Sequence, residues 1–276
     1  MSRAAVSRKP ARIIVPILEP TRHALVCADD SDVTFRSCDG MLFKVHRNNL
    51  TVHSEGFPPP DGTNSQDETV PLTESGDTLE LLFQFMYPQR QPDLKKIEFK
   101  QLAELAEAAE KYQVYAAIGV CNIYMRSHLE HSFEVMFYAA RHGYMDIMDK
   151  TEKIILEVPL SLAFEKLTLP LYIAWTRYYA QWLDLIGSLH RFLKTIPHHG
   201  QDNSGRNHLW FQSVISQLDT PASLLKLDDI FRAAGTHSSG GYTAIPCPTC
   251  QVNIASWRKN DMEPAIQRMG HLSSFL

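Results

Sequence analysis

DVTFRSCDGMLFKVHRNNLTVHS, residues Asp32 to Ser54, is the stretch from which the architecture can be read outward. Asp32-Val33-Thr34-Phe35-Arg36 alternates polar and apolar side chains, the period of a strand with one buried face, and turns Val33 and Phe35 inward. Ser37-Cys38-Asp39-Gly40 supplies a turn whose Asp-Gly pair tolerates positive φ. Met41 to Val45 is the return strand, and His46 to Val52 has length for one or two helical turns.

C-terminal to this hairpin, Glu55 to Asp67 is rich in proline, glycine and polar residues and predicts a surface loop. Val70-Pro71-Leu72 suits an edge strand, where a proline removes no ladder donor. Asp77-Thr78-Leu79-Glu80 has the form of a capping box and predicts a helix starting at Asp77. Leu79, Leu82, Phe83 and Met86 then share one face, widened by Phe85 and Tyr87, and Pro88 ends the helix. Gln89 to Lys96 reads as a polar connector. Phe99 to Tyr112 is the strongest helix, with Phe99, Leu102, Leu105, Ala106, Ala109 and Tyr112 on one face. A second helix from about Val114 to His128 follows, and Ala106, Ala109 and Ala116 would allow the two to approach closely.

The order D-V-x-F, G, F-x-V-H-R, L, S, then L-x-x-L-F-x-F-M-Y and L-A-E-A-A-E-K-Y-x-V, resembles the BTB/POZ domain, a protein–protein interaction module. The resemblance covers about residues 27–128. Its wording, F-K-V-H-R-x-N-L and A-E-A-A-E-K-Y-Q-V included, is similar to BTB proteins expanded in mushroom-forming fungi. It implies an α/β domain with a core of Val33, Phe35, Phe43, Val45, His46, Leu50, Leu79, Leu82, Phe83, Met86 and Tyr112. It also implies homodimerisation, and for Asp32 and Arg47 a charged pocket near the dimer interface; the alternative is an ordinary local salt bridge. A cullin-type ubiquitin ligase is one partner the resemblance suggests. Adaptors of that kind often carry a hydrophobic-x-Glu motif after the third main helix, and Pro88 to Lys96 lacks it.

Upstream, residues 1–26 hold Pro10, Pro16 and Pro20 and read as irregular to about residue 25. Arg12 to Leu18 is a candidate exchanged strand of the kind that BTB dimers use. The first 22 residues carry Arg3, Arg8, Lys9, Arg12 and Arg22 against Glu19 alone, the pattern of a solvated end or an import signal.

Downstream, residues 129–276 read as an all-α region. Phe133 to Ala140 and Asp146 to Val158 form a helical pair divided by Gly143, and Ser161 to Leu167 is a short helix. Tyr172 to Thr195 is long and aromatic, and residues 196–208 are a polar loop. Trp210 to Leu218 and Leu224 to Ala234 are amphipathic, Gly235 to Pro246 is a connector, and Cys247 to Leu276 ends with a helix through Met269.

Composition restricts function. The 276 residues carry a net charge of -4, which gives no electrostatic reason to expect nucleic acid or an anionic membrane. No stretch reaches the roughly 20 apolar residues of a membrane span. Five scattered cysteines fit a reducing compartment, hence cytoplasm or nucleus. No nucleophile elbow, phosphate loop or H-E-x-x-H motif occurs, so neither an enzyme nor a cofactor is expected. Cys247-Pro248-Thr249-Cys250 has the spacing of a zinc half-site, but His237 and His271 stand at no standard distance from it. Trp175, Tyr178, Tyr179 and Trp182 recur at i, i+3, i+4 and i+7, a core-facing helix stripe before a ligand site.

Overall fold

The computed structural model describes residues 25–27, 31–57, 69–195, 206–236, 238–239, 242–243 and 248–276. Cys247 and the candidate strand Arg12 to Leu18 lie outside them, as does the side chain of Cys250. The chain forms two compact units, 1–138 and 139–276.

The first unit is built on a four-stranded sheet of order β1-β3-β2-β4: β1 (Leu25–Cys27), β2 (Val33–Arg36), β3 (Leu42–Val45) and β4 (Thr69–Pro71). β2 and β3 are the antiparallel hairpin, pairing Phe35 with Phe43 and Val33 with Val45. All four of these side chains are buried, because the period of two sends alternate residues to the covered face. Gly40, at φ +89°, makes the turn. β4 runs parallel to β2 at one edge, where Pro71 is tolerated. β1 runs parallel to β3 at the other edge, which corrects the irregular reading up to residue 25.

α1 (Arg47–His53) follows β3, and α2 (Gly76–Gln84), α3 (Phe99–Tyr112) and α4 (Tyr115–Met125) continue the unit, with 3-10 turns at Leu94–Lys96 and Leu129–His131. The expected start of α2 at Asp77 is corrected. Ser75 is the N-cap and accepts from the Thr78 N–H, while Asp39 Oδ1 accepts from the Gly76 N–H at 2.9 Å. The hairpin turn thus reaches across to the helix end, and this contact overrides the local Asp-x-x-Glu pattern. α2 also ends early: Phe85 and Met86 donate to Leu82 O and Phe83 O in a tightened last turn, yet both stay buried.

Aromatic rings fill the core between sheet and helices. Phe83 lies 5.9 Å from Phe35 and 5.4 Å from Phe43, and Phe57 stacks on Tyr112 at 4.0 Å. Phe57, expected in a surface loop, is a core residue. Leu50, Leu79, Leu82 and Met86 are buried beside them, whereas His46 is only half-buried. Gln113, at φ +54°, closes α3, and the Val114 N–H donates back to Ala109 O. α4 buries Ala117, Cys121 and Met125; Ala116 is exposed, so Ala117 is the small residue it turns inward.

α5 (Ser132–His142) starts in the first unit and is followed by α6 (Met145–Thr151), a 3-10 turn at Ile154–Glu157, α7 (Leu160–Lys166) and α8 (Leu169–Thr195). Gly143, at φ +77°, lets the chain leave α5, and Tyr144 N–H donates to Ala139 O. The expected helix from Asp146 to Val158 is therefore a helix and a separate 3-10 turn. After α8 come α9 (Arg206–Gln217), a 3-10 turn at Pro221–Lys226, α10 (Leu227–Thr236) and α11 (Pro248–Trp257). A π-helical turn at Arg258–Met262 joins α11 to α12 (Glu263–Gln267), and a last 3-10 turn spans Leu272–Phe275. Residues 206–208, expected in a loop, open α9. The expected connector holds a two-residue ladder, β5 (Ser238–Ser239) with β6 (Tyr242–Thr243). Trp175, Tyr178, Tyr179 and Trp182 are all buried on one side of α8.

Candidate functional site

Polar contacts in the first unit gather where helices meet the sheet. α1 starts with His46 as N-cap, and the His46 side chain makes no capping bond. The carboxylate comes instead from across the hairpin: Asp32 Oδ1 accepts from the Arg47 N–H at 2.6 Å, and the Asp32 N–H donates to Val45 O at 3.4 Å. An anion at the positive end of α1 satisfies a donor that the helix cannot. Among the described residues, Asp32 therefore meets the main chain of Arg47 rather than its guanidinium. The His46 N–H donates to Tyr87 Oη at 3.1 Å, and His46 Nδ1 lies 3.1 Å from the same oxygen. This fixes the strand–helix junction against the segment after α2.

The C-terminal end of α1 is pinned as well. Ser54 Oγ donates to Tyr112 O at 2.5 Å and accepts from the N–H groups of Gly56 and Phe57. Gly56 N–H also donates to Tyr112 O, and a Cβ on Gly56 would stand 2.6 Å from Tyr112 Cα. Only a glycine lets these two backbones approach so closely.

Glu74 organises a third cluster. Tyr112 Oη donates to its Oε2 at 2.6 Å, and Lys111 Nζ donates to its Oε1 at 2.6 Å and to Thr73 Oγ1 at 2.8 Å. Burial on its own would raise the Glu74 carboxyl, but the bonds from Lys111 and Tyr112 outweigh it and hold the group below its ordinary value. Burial, then the bond to Glu74, push the Tyr112 phenol far up. These residues border a cavity of about 600 Å³ lined by Cys38, Glu74, Thr78, Glu104, Glu107 and Lys111. Nothing in the sequence marked Glu74 or Asp39 as the residues that join these elements. Both act on partners more than thirty residues away.

The cysteines divide by environment. Cys38 is exposed, and Cys121 is buried, its thiol pushed up to about 12 by burial and by the charge of Glu110. The Cys247/Cys250 half-site cannot be placed, since Cys247 and the Cys250 side chain lie outside the described residues. No helix among the described residues is long and apolar enough to cross a membrane.

A small mixed sheet closed by helices on a shared aromatic core, with helix ends tied to the hairpin by side-chain caps, defines a compact α/β domain. Residues 24–129 match the family model of the BTB/POZ domain, and this part of the chain is a BTB/POZ domain, a protein–protein interaction module. A helical region follows it. No curated protein matches the chain.

Proposed function

We propose that the chain self-associates through residues 27–128 and acts in the cytoplasm or nucleus as a homodimeric scaffold or regulatory protein. On this reading residues 129–276 form a helical region that contacts a further protein partner. The resemblance to BTB proteins expanded in mushroom-forming fungi would place it in that subgroup. The observation that carries the reading is the set of large apolar side chains left exposed on the first unit. Val52 on α1 is 66% exposed, and Tyr115 and Ile123 on α4 are 59% and 65% exposed. Apolar surface favours burial against a partner where such residues form a contiguous patch. Asp32 supports the same reading by holding the start of α1, the helix that presents Val52. A cullin-type ubiquitin ligase is the alternative partner, with less support because Pro88 to Lys96 lacks the hydrophobic-x-Glu motif.

Light scattering on the full chain tests the proposal. The wild type should have twice the monomer mass, and Val52→Glu or Tyr115→Glu should shift it toward the monomer. Asp32→Ala should weaken the dimer more than Asp32→Asn, because asparagine retains an oxygen for the Arg47 N–H. A monomeric wild type overturns the homodimer. Binding to a purified cullin at micromolar concentration would replace the scaffold reading with the adaptor.

A further inference from the structure

α6 and the turn after it carry Asp149 and Glu152, and the C-terminal turn carries His271. Glu152 is 8% exposed, Asp149 is half-buried and His271 is exposed. One ligand atom from each of the three lies within 4.8 Å of the other two. His271 Nδ1 stands 3.3 Å from both Glu152 oxygens. Two donors each about 2.0–2.1 Å from one ion are separated by roughly 3.0–3.4 Å at octahedral or tetrahedral angles. The imidazole and the carboxylate are therefore already at the spacing of two ligands of one cation.

The acids also have a structural role. The Leu272 N–H donates to Glu152 Oε2 at 3.1 Å, and the Ser273 N–H and Oγ–H donate to the two Asp149 oxygens at 2.9 and 2.8 Å. Capping the C-terminal turn accounts for the two carboxylates. Each carboxylate oxygen can accept twice, so these caps leave lone pairs for an ion. The imidazole pairs with Glu152 and takes no part in the capping, and neither does Tyr178 on α8. That side chain is 1% exposed, and among the described residues its hydroxyl has no hydrogen-bond partner. Burial, then the charge of Glu152, push its phenol up against a lowering contact from Trp182, and Asp149 adds a smaller rise, so the hydroxyl sits in the field of both carboxylates. A buried hydroxyl left unpaired is costly, and water carried by an ion between the acids would give it a partner.

We propose that Asp149, Glu152 and His271 bind one divalent transition-metal cation, zinc foremost, each giving one ligand, with water completing the set. Two carboxylates, one imidazole and no thiolate suit zinc, cobalt or manganese and disfavour softer ions. The ion would clamp the C-terminal turn to α6 and stabilise the second unit by mass action.

The test uses the full chain without a histidine tag, stripped with chelator and titrated with zinc by calorimetry and with cobalt by absorption. One bound ion is expected, with the weak visible bands of a nitrogen–oxygen site and no intense thiolate charge-transfer band. His271→Ala should lower affinity by more than roughly tenfold, the lower end of what outer-shell partners alone contribute. The metal-free variant should melt like the metal-free wild type, because the backbone caps remain. Tyr178→Phe should weaken binding less than His271→Ala. No bound ion in the wild type overturns the proposal. So does affinity unchanged by His271→Ala. A thiolate band would also overturn it, by assigning the ion to Cys247 and Cys250.

Discussion

The helix ends of the first unit and the long helix of the second handle buried polar groups differently. In the first, the polar groups at the helix ends are tied: Asp32 to the start of α1, Ser54 to its end and to Tyr112, Asp39 to the start of α2, and Tyr112 Oη to Glu74. In the second, the long helix α8 carries the Tyr178 hydroxyl, the Trp182 indole N–H and His190 Nε2, buried and without partners among the described residues. A satisfied buried network specifies one arrangement of its elements, whereas an orphaned polar atom subtracts from stability unless something else pairs it. The helix ends of the first unit thus form a fixed platform, whereas the second unit ties its C-terminal turn through Asp149 and Glu152 but leaves these α8 atoms untied.

The largest expected effect removes the centre of the platform. Phe83→Ala takes away the ring that packs on Phe35, Phe43 and Phe57, and should cost about 3–5 kcal/mol in denaturant unfolding. A loss under 1 kcal/mol would mean that these rings do not hold the first unit together. Next comes Gly56→Ala, whose methyl group would collide with the Tyr112 backbone; about 1–3 kcal/mol should be lost.

A matched pair of tyrosines sharpens the contrast. Tyr112→Phe deletes a donor to Glu74 and should destabilise by about 1 kcal/mol, since Lys111 continues to hold the carboxylate. Tyr178→Phe deletes an orphaned hydroxyl and, in the presence of chelator, should be neutral or slightly stabilising. Equal losses at both positions would erase the distinction between the units.

The smallest effect is in pH. The folded-state value of Glu74 lies below its ordinary 4.5, so the carboxylate contributes stability above about that pH and loses it as pH falls through the lowered value. Wild type and Glu74→Gln should therefore differ most in melting temperature near neutral pH and converge in acid. A difference that grows toward acid would contradict the ties to Lys111 and Tyr112.

The fold of the first unit was legible where local rules act alone. Alternation at Val33 and Phe35 gave the hairpin, and the 3.6-residue face from Phe99 to Tyr112 gave α3 with both ends correct. Legibility failed where a distant group intervened. Asp77-x-x-Glu80 obeyed the capping pattern, yet Ser75 caps α2 because Asp39 and Met41 of the hairpin meet that helix at Gly76. Phe57 sat among loop residues and gave no periodic signal, but Tyr112 and Phe83 enclose it. In the second unit the α8 stripe reads as core and is buried; the break after α6 has no proline or glycine to announce it, whereas Pro264 directly follows the π-helical turn between α11 and α12.

The candidate sites divide along the same line. The sequence pairs Asp32 with Arg47, but that the aspartate holds a main-chain N–H depends on β2 and β3 being in register. In the sequence His271 stands only as a remote companion of the C-x-x-C pair, and no local pattern marks Glu152 or Asp149. By itself the sequence determined strand alternation, helix faces and the turn chemistry at Gly40, because each depends on neighbours a few residues away. Tertiary structure alone decided which carboxylate meets which helix end, Asp39 on Gly76 and Glu152 on Leu272. Those contacts join residues 37 and 120 positions apart, and they exist only once packing has set each element's position to within a hydrogen-bond length.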